Sequence, residues 1–150
     1  MVSRTGEYAL RAVVYLAQNE DSWPIPGPRI ARETKIPRTY LSSILGALVR
    51  TRVLEASPGR GGGFRMRRPP RKVLLVDVLA PFESVLADRR PCPFGNPDCG
   101  DADPCAGHHR WKSVRKAYYD FVQRTSVQEV SVNSPSRSVK RKKKRNRIRR

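Results

Sequence analysis

Three cysteines and a histidine stand close together in the order Cys92-x6-Cys99-x5-Cys105-x2-His108. Thiolates and imidazoles are ligands for zinc or iron. The Pro, Gly and Asp residues between them suit a loop that wraps a metal better than one that packs a core. Zinc fingers draw two thiolates onto one ion from CxxC pairs; this chain has no CxxC, and its wider spacing suits a larger object such as an iron–sulfur cluster. An odd count of cysteines within 14 residues does not resemble a disulfide framework. Zinc ligation and metal-free redox thiols stay open beside the cluster reading. Glu7 is a further acidic ligand candidate, although taken alone it reads as a solvated carboxylate on a helix face. His109, next to His108, reads as solvent-facing.

A second set of residues suits nucleic acid. Arg38 is placed to contact phosphate, and Thr39, Ser42 and Ser43 can exchange hydrogen bonds with base edges or phosphates, with Tyr40 beside them. Arg60 sits in Ser57-Pro58-Gly59-Arg60-Gly61-Gly62-Gly63, where it could enter a narrow minor groove or meet the backbone. The charge balance agrees: 31 Lys and Arg against 13 Asp and Glu give +18. Ten of those basic residues lie between Val132 and Arg150, a stretch without acids, and the remaining chain still carries +8. A polyanion is the expected partner, DNA before an anionic membrane.

The elements that must position these residues follow from periodicity. Tyr8, Ala12, Tyr15 and Leu16 recur at helical spacing and predict a helix over 5–19, with Thr5 as its N-cap. Three prolines in Trp23-Pro24-Ile25-Pro26-Gly27-Pro28 interrupt any helix there. A short helix is expected from Pro28 to Thr34 and a third from Arg38 to Arg50, the latter burying Leu41, Ile44, Leu45 and Leu48. Joined by Lys35-Ile36-Pro37, they outline a helix-turn-helix. Two short strands, Val53 to Ala56 and Phe64 to Met66, flank the glycine-rich tip as a wing. A further helix is expected over Val73 to Leu86, then an irregular loop over 88–107 that a metal would order. A long helix from Cys105 to Gln123 would place Cys105 and His108 on one face. Its seam of Trp111, Val114, Tyr118, Phe121 and Val122 is too wide for a lone exposed helix and asks for a partner. Residues 132–150 read as a basic, disordered tail.

The fold class is therefore mainly α with a small β-wing: a winged helix-turn-helix plus a long C-terminal dimerisation helix. The expected domains are 1–72 for DNA binding, 73–131 for the cysteine loop and dimerisation helix, and 132–150 for the tail. An enzyme is not expected, since GxxxxGK[ST], GxSxG and HExxH are all missing. No small-molecule substrate is implied. No apolar run approaches a bilayer span, and the N-terminus lacks a secretory pattern, so a cytoplasmic protein is expected.

Specific segments carry a family resemblance: Thr5-Gly6-Glu7-Tyr8-Ala9-Leu10-Arg11, Tyr40-Leu41, Gly59-Arg60-Gly61-Gly62-Gly63-Phe64, and the three cysteines with Cys105-Ala106-Gly107-His108-His109-Arg110-Trp111. Over residues 1–131 the chain resembles the Rrf-type family of winged-helix transcriptional regulators, which includes the iron–sulfur regulator IscR and the nitric-oxide-sensing repressor NsrR. The resemblance implies a homodimer that buries the long C-terminal helix against its partner and binds a palindromic operator in double-stranded DNA. It also implies an iron–sulfur cluster on Cys92, Cys99 and Cys105 with one more ligand, whose state alters DNA affinity. In the IscR-like branch that ligand maps to His108, and in the NsrR-like branch to Glu7, contributed by the other subunit. Both [2Fe–2S] and [4Fe–4S] are thus open, with His108 and [2Fe–2S] favoured. The alternative is a zinc-stabilised or thiol-redox winged-helix regulator without a cluster. Two positions depart from the family: Pro58 stands where an arginine usually precedes the first wing glycine, and Ser42 stands where IscR-like members often carry a glutamate. Operator preference therefore does not carry over.

Overall fold

The computed structural model describes residues 2–83 and 92–132. The element order is α1 (Arg4–Ala17), α2 (Gly27–Thr34), α3 (Arg38–Arg50), β1 (Leu54–Ser57), β2 (Gly63–Met66), α4 (Leu75–Leu79), α5 (His108–Arg124) and α6 (Val127–Val132), with 3-10 turns at Glu20–Ser22 and Pro70–Lys72.

Helix α1 is capped by Ser3, not Thr5: the Ser3 Oγ accepts from the Gly6 N–H at 3.0 Å. A serine one position upstream satisfies an amide that Thr5, already inside the helix, cannot reach. The helix also stops at Ala17, two residues short of the expected end. The proline-rich stretch does more than break a helix. Ile25 exchanges two backbone hydrogen bonds with Phe64, both 2.9 Å, adding a third backbone to the wing sheet. Strands β1 and β2 pair antiparallel with Leu54 opposite Met66 and Ser57 opposite Gly63. Each begins or ends one residue away from the expected position, and Glu55 and Arg65 form a cross-strand ion pair.

Between α2 and α3, Lys35 adopts a left-handed conformation at φ 57° and turns the chain. Helix α3 has the expected bounds, and Leu41, Ile44, Leu45 and Leu48 are all buried. The expected helix over Val73 to Leu86 is a correction: among the described residues only Leu75–Leu79 is helical there. Val73 and Leu74 are extended because their backbones are tied elsewhere. Val127 donates to the Val73 carbonyl at 2.8 Å and Leu75 to the Thr125 carbonyl at 3.0 Å. Pro81 then lacks an amide to continue the helix. Residues 84–86 of that expectation lie outside the described residues, as do 88–91 of the loop and 133–150 of the tail.

Helix α6 was not expected. Its start is a reciprocal cap: the Glu129 carboxylate accepts from both the N–H and the hydroxyl of Ser126, each at 2.7 Å. The Glu129 N–H returns to the Ser126 Oγ at 3.3 Å. The helix packs back onto α1, where the Gln18 side chain donates to the Ser131 carbonyl at 2.9 Å. One hydrophobic core results, running from Tyr8 through Ile30, Leu41 and Val53 to Leu79, Val122 and Val127.

Candidate functional site

The candidate DNA-binding face is built on α3. Burial of Leu41, Ile44, Leu45 and Leu48 fixes the helix rotation, and the positions between them turn outward. Arg38, Thr39, Tyr40, Ser42 and Ser43 are all exposed, with Tyr40 at 60%. Arg60 is exposed at the wing tip. Its neighbours Gly59 and Gly61 adopt φ 86° and 77°, conformations that L side chains rarely tolerate. That pair lets one arginine project from a tight turn.

A basic–aromatic cluster adjoins this face and was missed in the sequence. Tyr8 meets Tyr40 edge to face at 6.3 Å between ring centroids. The guanidinium groups of Arg4 and Arg11 each lie 5.7 Å from the Tyr8 centroid, and Arg4 Nε donates to the Tyr8 hydroxyl at 3.1 Å. The spacing Arg4, Tyr8, Arg11 on one helix carried the signal, because residues four and three apart stack on one face. Glu7 on the same helix is ion-paired with Arg11.

The second site is the cysteine centre. The sulfurs of Cys92, Cys99 and Cys105 all lie within 4.8 Å of one another. Cys92 Sγ is 3.7 Å from Cys105 Sγ, and the Cys105 N–H points at Cys99 Sγ from 3.4 Å. None of the three is in a disulfide. His108 joins them through Nδ1, which is 3.2 Å from Cys99 Sγ. Helix α5 begins at His108, not at Cys105, so these two residues do not share a helix face. Instead a turn joins them, with the His108 N–H donating to the Cys105 carbonyl at 2.9 Å. Pro104 biases Asp103 toward extended backbone, and a turn at residues 106–107 precedes the helix. His109 is exposed, as expected, with its ring edge-on to His108. Neither His108, which reaches only Cys99, nor Glu7 of this chain is among the ligand atoms gathered within 4.8 Å of one another.

Local electrostatics differ between the thiols. The backbone N–H of Phe94, helped by Asn96, pulls the Cys92 thiol below the ordinary range. At Cys99 the Cys105 N–H acts in the same direction, but burial and the two neighbouring thiols outweigh it and the net shift is upward. Nearby, Asp101 accepts from His108 Nε2 at 2.9 Å and from Lys112 Nζ at 2.7 and 2.6 Å. Lys112 first and His108 second hold its carboxyl down to about 2.

These donors fit a metal or cluster: three soft sulfurs and one imidazole converge from an irregular loop with no core of its own. The model of the Rrf2 family, described as an iron-dependent transcriptional regulator, matches residues 2–133. The chain belongs to the Rrf2 family. Its relatives include the HTH-type transcriptional regulator IscR of Xenorhabdus nematophila, 26% identical over 129 residues that make up 85% of this chain and 77% of that one. Among solved structures, CymR, the global cysteine regulator of B. subtilis, superimposes with TM-score 0.73 at 18% identity, covering 89% of this chain and 98% of that one. T. potens IscR gives TM-score 0.70 at 19% identity, covering 91% and 90%. Both solved structures share the winged-helix architecture.

Membership settles the class. Rrf2 proteins are DNA-binding transcriptional regulators and not enzymes. The Rrf2 chain also has no helix long and apolar enough to cross a membrane among its described residues. Its three gathered cysteines suit a metal or thiol sensor. Helix α5 of this Rrf2 protein leaves much of its surface bare: Val114 is 43% and Phe121 52% exposed, while Val122 alone on that helix is buried in the core.

Proposed function

We propose that this Rrf2 protein is a homodimeric regulator whose affinity for a palindromic operator is set by an iron–sulfur cluster on Cys92, Cys99, Cys105 and His108. The observation that carries the reading is the convergence of three sulfurs within 4.8 Å, with the His108 Nδ1 already 3.2 Å from one of them. Histidine ligation favours [2Fe–2S]; Glu7 of the partner subunit is the alternative fourth ligand and would favour [4Fe–4S]. When bound, the group supplies sensitivity to oxidants, nitric oxide or iron–sulfur supply.

The chain's own residues do the rest. Residues 1–72 read DNA: Thr39, Tyr40, Ser42 and Ser43 face base edges, while Arg38, Arg60 and the stacked Arg4 and Arg11 face phosphates. Residues 73–131 sense and dimerise. Val114 and Phe121, seven residues apart on α5 and so on one stripe, form the apolar face offered to a second copy, while Tyr118 and Val122 of the expected seam pack on this chain's own core. The cysteine loop ends where α5 begins, so order in the loop biases how that helix sits. The spacing of the two recognition helices follows, and half-sites one helical turn apart tolerate little change. Such a protein works in the cytoplasm, where its DNA is.

The test is the visible spectrum of protein purified without oxygen, with iron and acid-labile sulfide assays. A brown protein holding both supports the reading. A colourless protein that stays so after anaerobic reconstitution ends it and leaves zinc or thiol chemistry. One distance favours the thiol alternative specifically: Cys92 and Cys105 Sγ are 3.7 Å apart and could close a disulfide, giving two electrons and two protons to a peroxide-type oxidant. Reversible loss of those two thiols in metal-free protein, with altered operator affinity, would support that version.

A further inference from the structure

The His108 ring is held at both nitrogens. On one side Nδ1 faces Cys99 Sγ at 3.2 Å. On the other, Nε2 lies 2.9 Å from the Asp101 Oδ1. A carboxylate only accepts, so the hydrogen between them belongs to Nε2. A neutral imidazole has a single N–H, which leaves the Nδ1 lone pair directed at the sulfur group. Lys112 lies one helical turn beyond His108 and donates to both Asp101 oxygens. It thus clamps the carboxylate in place from the same helix face. The ring itself is mostly covered, with the His108 side chain 16% exposed, whereas Asp101 is 70% exposed on the rim.

We propose that Asp101 is a positioning residue of the cysteine centre, fixing the His108 tautomer and aiming Nδ1 at the Cys99 side of the three sulfurs, with Lys112 as its clamp. The inference rests on the ligand set proposed above and narrows it. Within one chain His108 is oriented by Asp101, while Glu7 is engaged by Arg11. The pattern of carboxylate, imidazole and metal recurs because the outer hydrogen bond sets both the tautomer and the basicity of a ligating histidine. The competing account is a plain surface ion pair between Asp101 and Lys112, and such pairs contribute little.

The experiment titrates Co²⁺ into metal-free, full-length protein without oxygen and follows the thiolate-to-cobalt absorption. Asp101→Ala weakens Co²⁺ binding by roughly 10–100-fold, the usual cost of losing such a partner. Asp101→Asn, which keeps an acceptor oxygen, loses less, and Lys112→Ala less again. The decisive comparison uses His108→Ala as the background: there Asp101→Ala costs nothing further, because the residue acts through the ring. Wild-type affinity in Asp101→Ala, or a loss that adds in full to that of His108→Ala, overturns the proposal. Asp101 is exposed and lies outside every helix and strand, so these variants leave the core intact. A protein that never carries iron and sulfide would sink the cluster reading alone, since the cobalt ratios are measured without a cluster.

Discussion

The helix-turn-helix with its wing and the cysteine loop are held together by different physics. Around α1, α2, α3 and the wing, apolar side chains face inward at every turn, and Leu16, Ile25, Ile30, Leu48 and Val53 are fully buried. Between Cys92 and α5 no residue is buried to that degree. There the chain is fixed by polar contacts, sulfur to sulfur, sulfur to imidazole and imidazole to carboxylate, with the Phe94 ring lying over Gly107 as an apolar addition. Burial gives one stable geometry. A set of exposed polar contacts gives a geometry that a ligand or a partner can stabilise or release. The switch proposed above needs a rigid reading head and a segment whose order can change, and the division of burial supports that proposal.

The sharpest way to break this contrast is truncation on each side of it. Leu48→Ala empties a fully buried position between α3 and the wing and costs about 2–5 kcal/mol, read by denaturant or thermal unfolding at any protein concentration. Phe121→Ala removes a ring that is 52% exposed. Its loss leaves the isolated chain nearly as stable, but weakens self-association and makes melting depend more steeply on concentration. Equal, concentration-independent losses in the two variants would erase the distinction between core and docking face.

A smaller effect sharpens the boundary between the regions. The Glu83 carboxylate is buried and accepts from the Ser3 N–H at 2.7 Å. It lies so close to Gly6 that a Cβ there would sit 2.2 Å from its Oε1 and 3.1 Å from Leu79. Gly6→Ala must push the carboxylate off the start of α1, and overpacking of this kind costs about 1–3 kcal/mol. Glu83→Ala in the same chain opens the space, so the double variant tolerates alanine at position 6 better than the single one does. Strict additivity of the two losses would show that Glu83 does not set the requirement for glycine.

Legibility in the sequence followed the same division. The bounds of α3, the buried stripe of Leu41, Ile44, Leu45 and Leu48, and the outward face of Thr39, Ser42 and Ser43 all follow from one local rule, the 3.6-residue period. The closeness of Cys92, Cys99, Cys105 and His108 was suggested by residue types and spacing. The Asp101 bridge was not, since acidic loop residues are common and only geometry selects one. Failures came where distant backbones override local preference. Val73 and Leu74 look helical, yet the bonds of Val73 to Val127 and of Leu75 to Thr125, some fifty residues away, bracket Leu74 and hold both extended. Arg4, Tyr8 and Arg11 were legible as a helix face, but not as a neighbour of Tyr40, which depends on how α1 packs on α3. Helix α6 was also missed despite a readable signal, the Ser126-Val127-Gln128-Glu129 capping pattern, because the basic stretch beyond it dominated that end of the chain.

That cap also yields the gentlest test, on the core side of the contrast. Hydrogen bonds from the Ser126 backbone first, then from its side chain, hold the Glu129 carboxyl below its ordinary range. A folded-state value below the unfolded one contributes stability that is fully present above the unfolded pKa and is lost as pH falls through the folded one. Stability should therefore drop as acid protonates Glu129, and Glu129→Gln should flatten that part of the profile while leaving neutral stability only slightly lower. Because α6 packs on α1, the change should appear in unfolding of the reading head and leave Co²⁺ affinity at the cysteine centre unaltered. An acid-sensitive loss of Co²⁺ affinity that disappears in Glu129→Gln would mean that the two regions are coupled through α6, and the contrast would have to be redrawn.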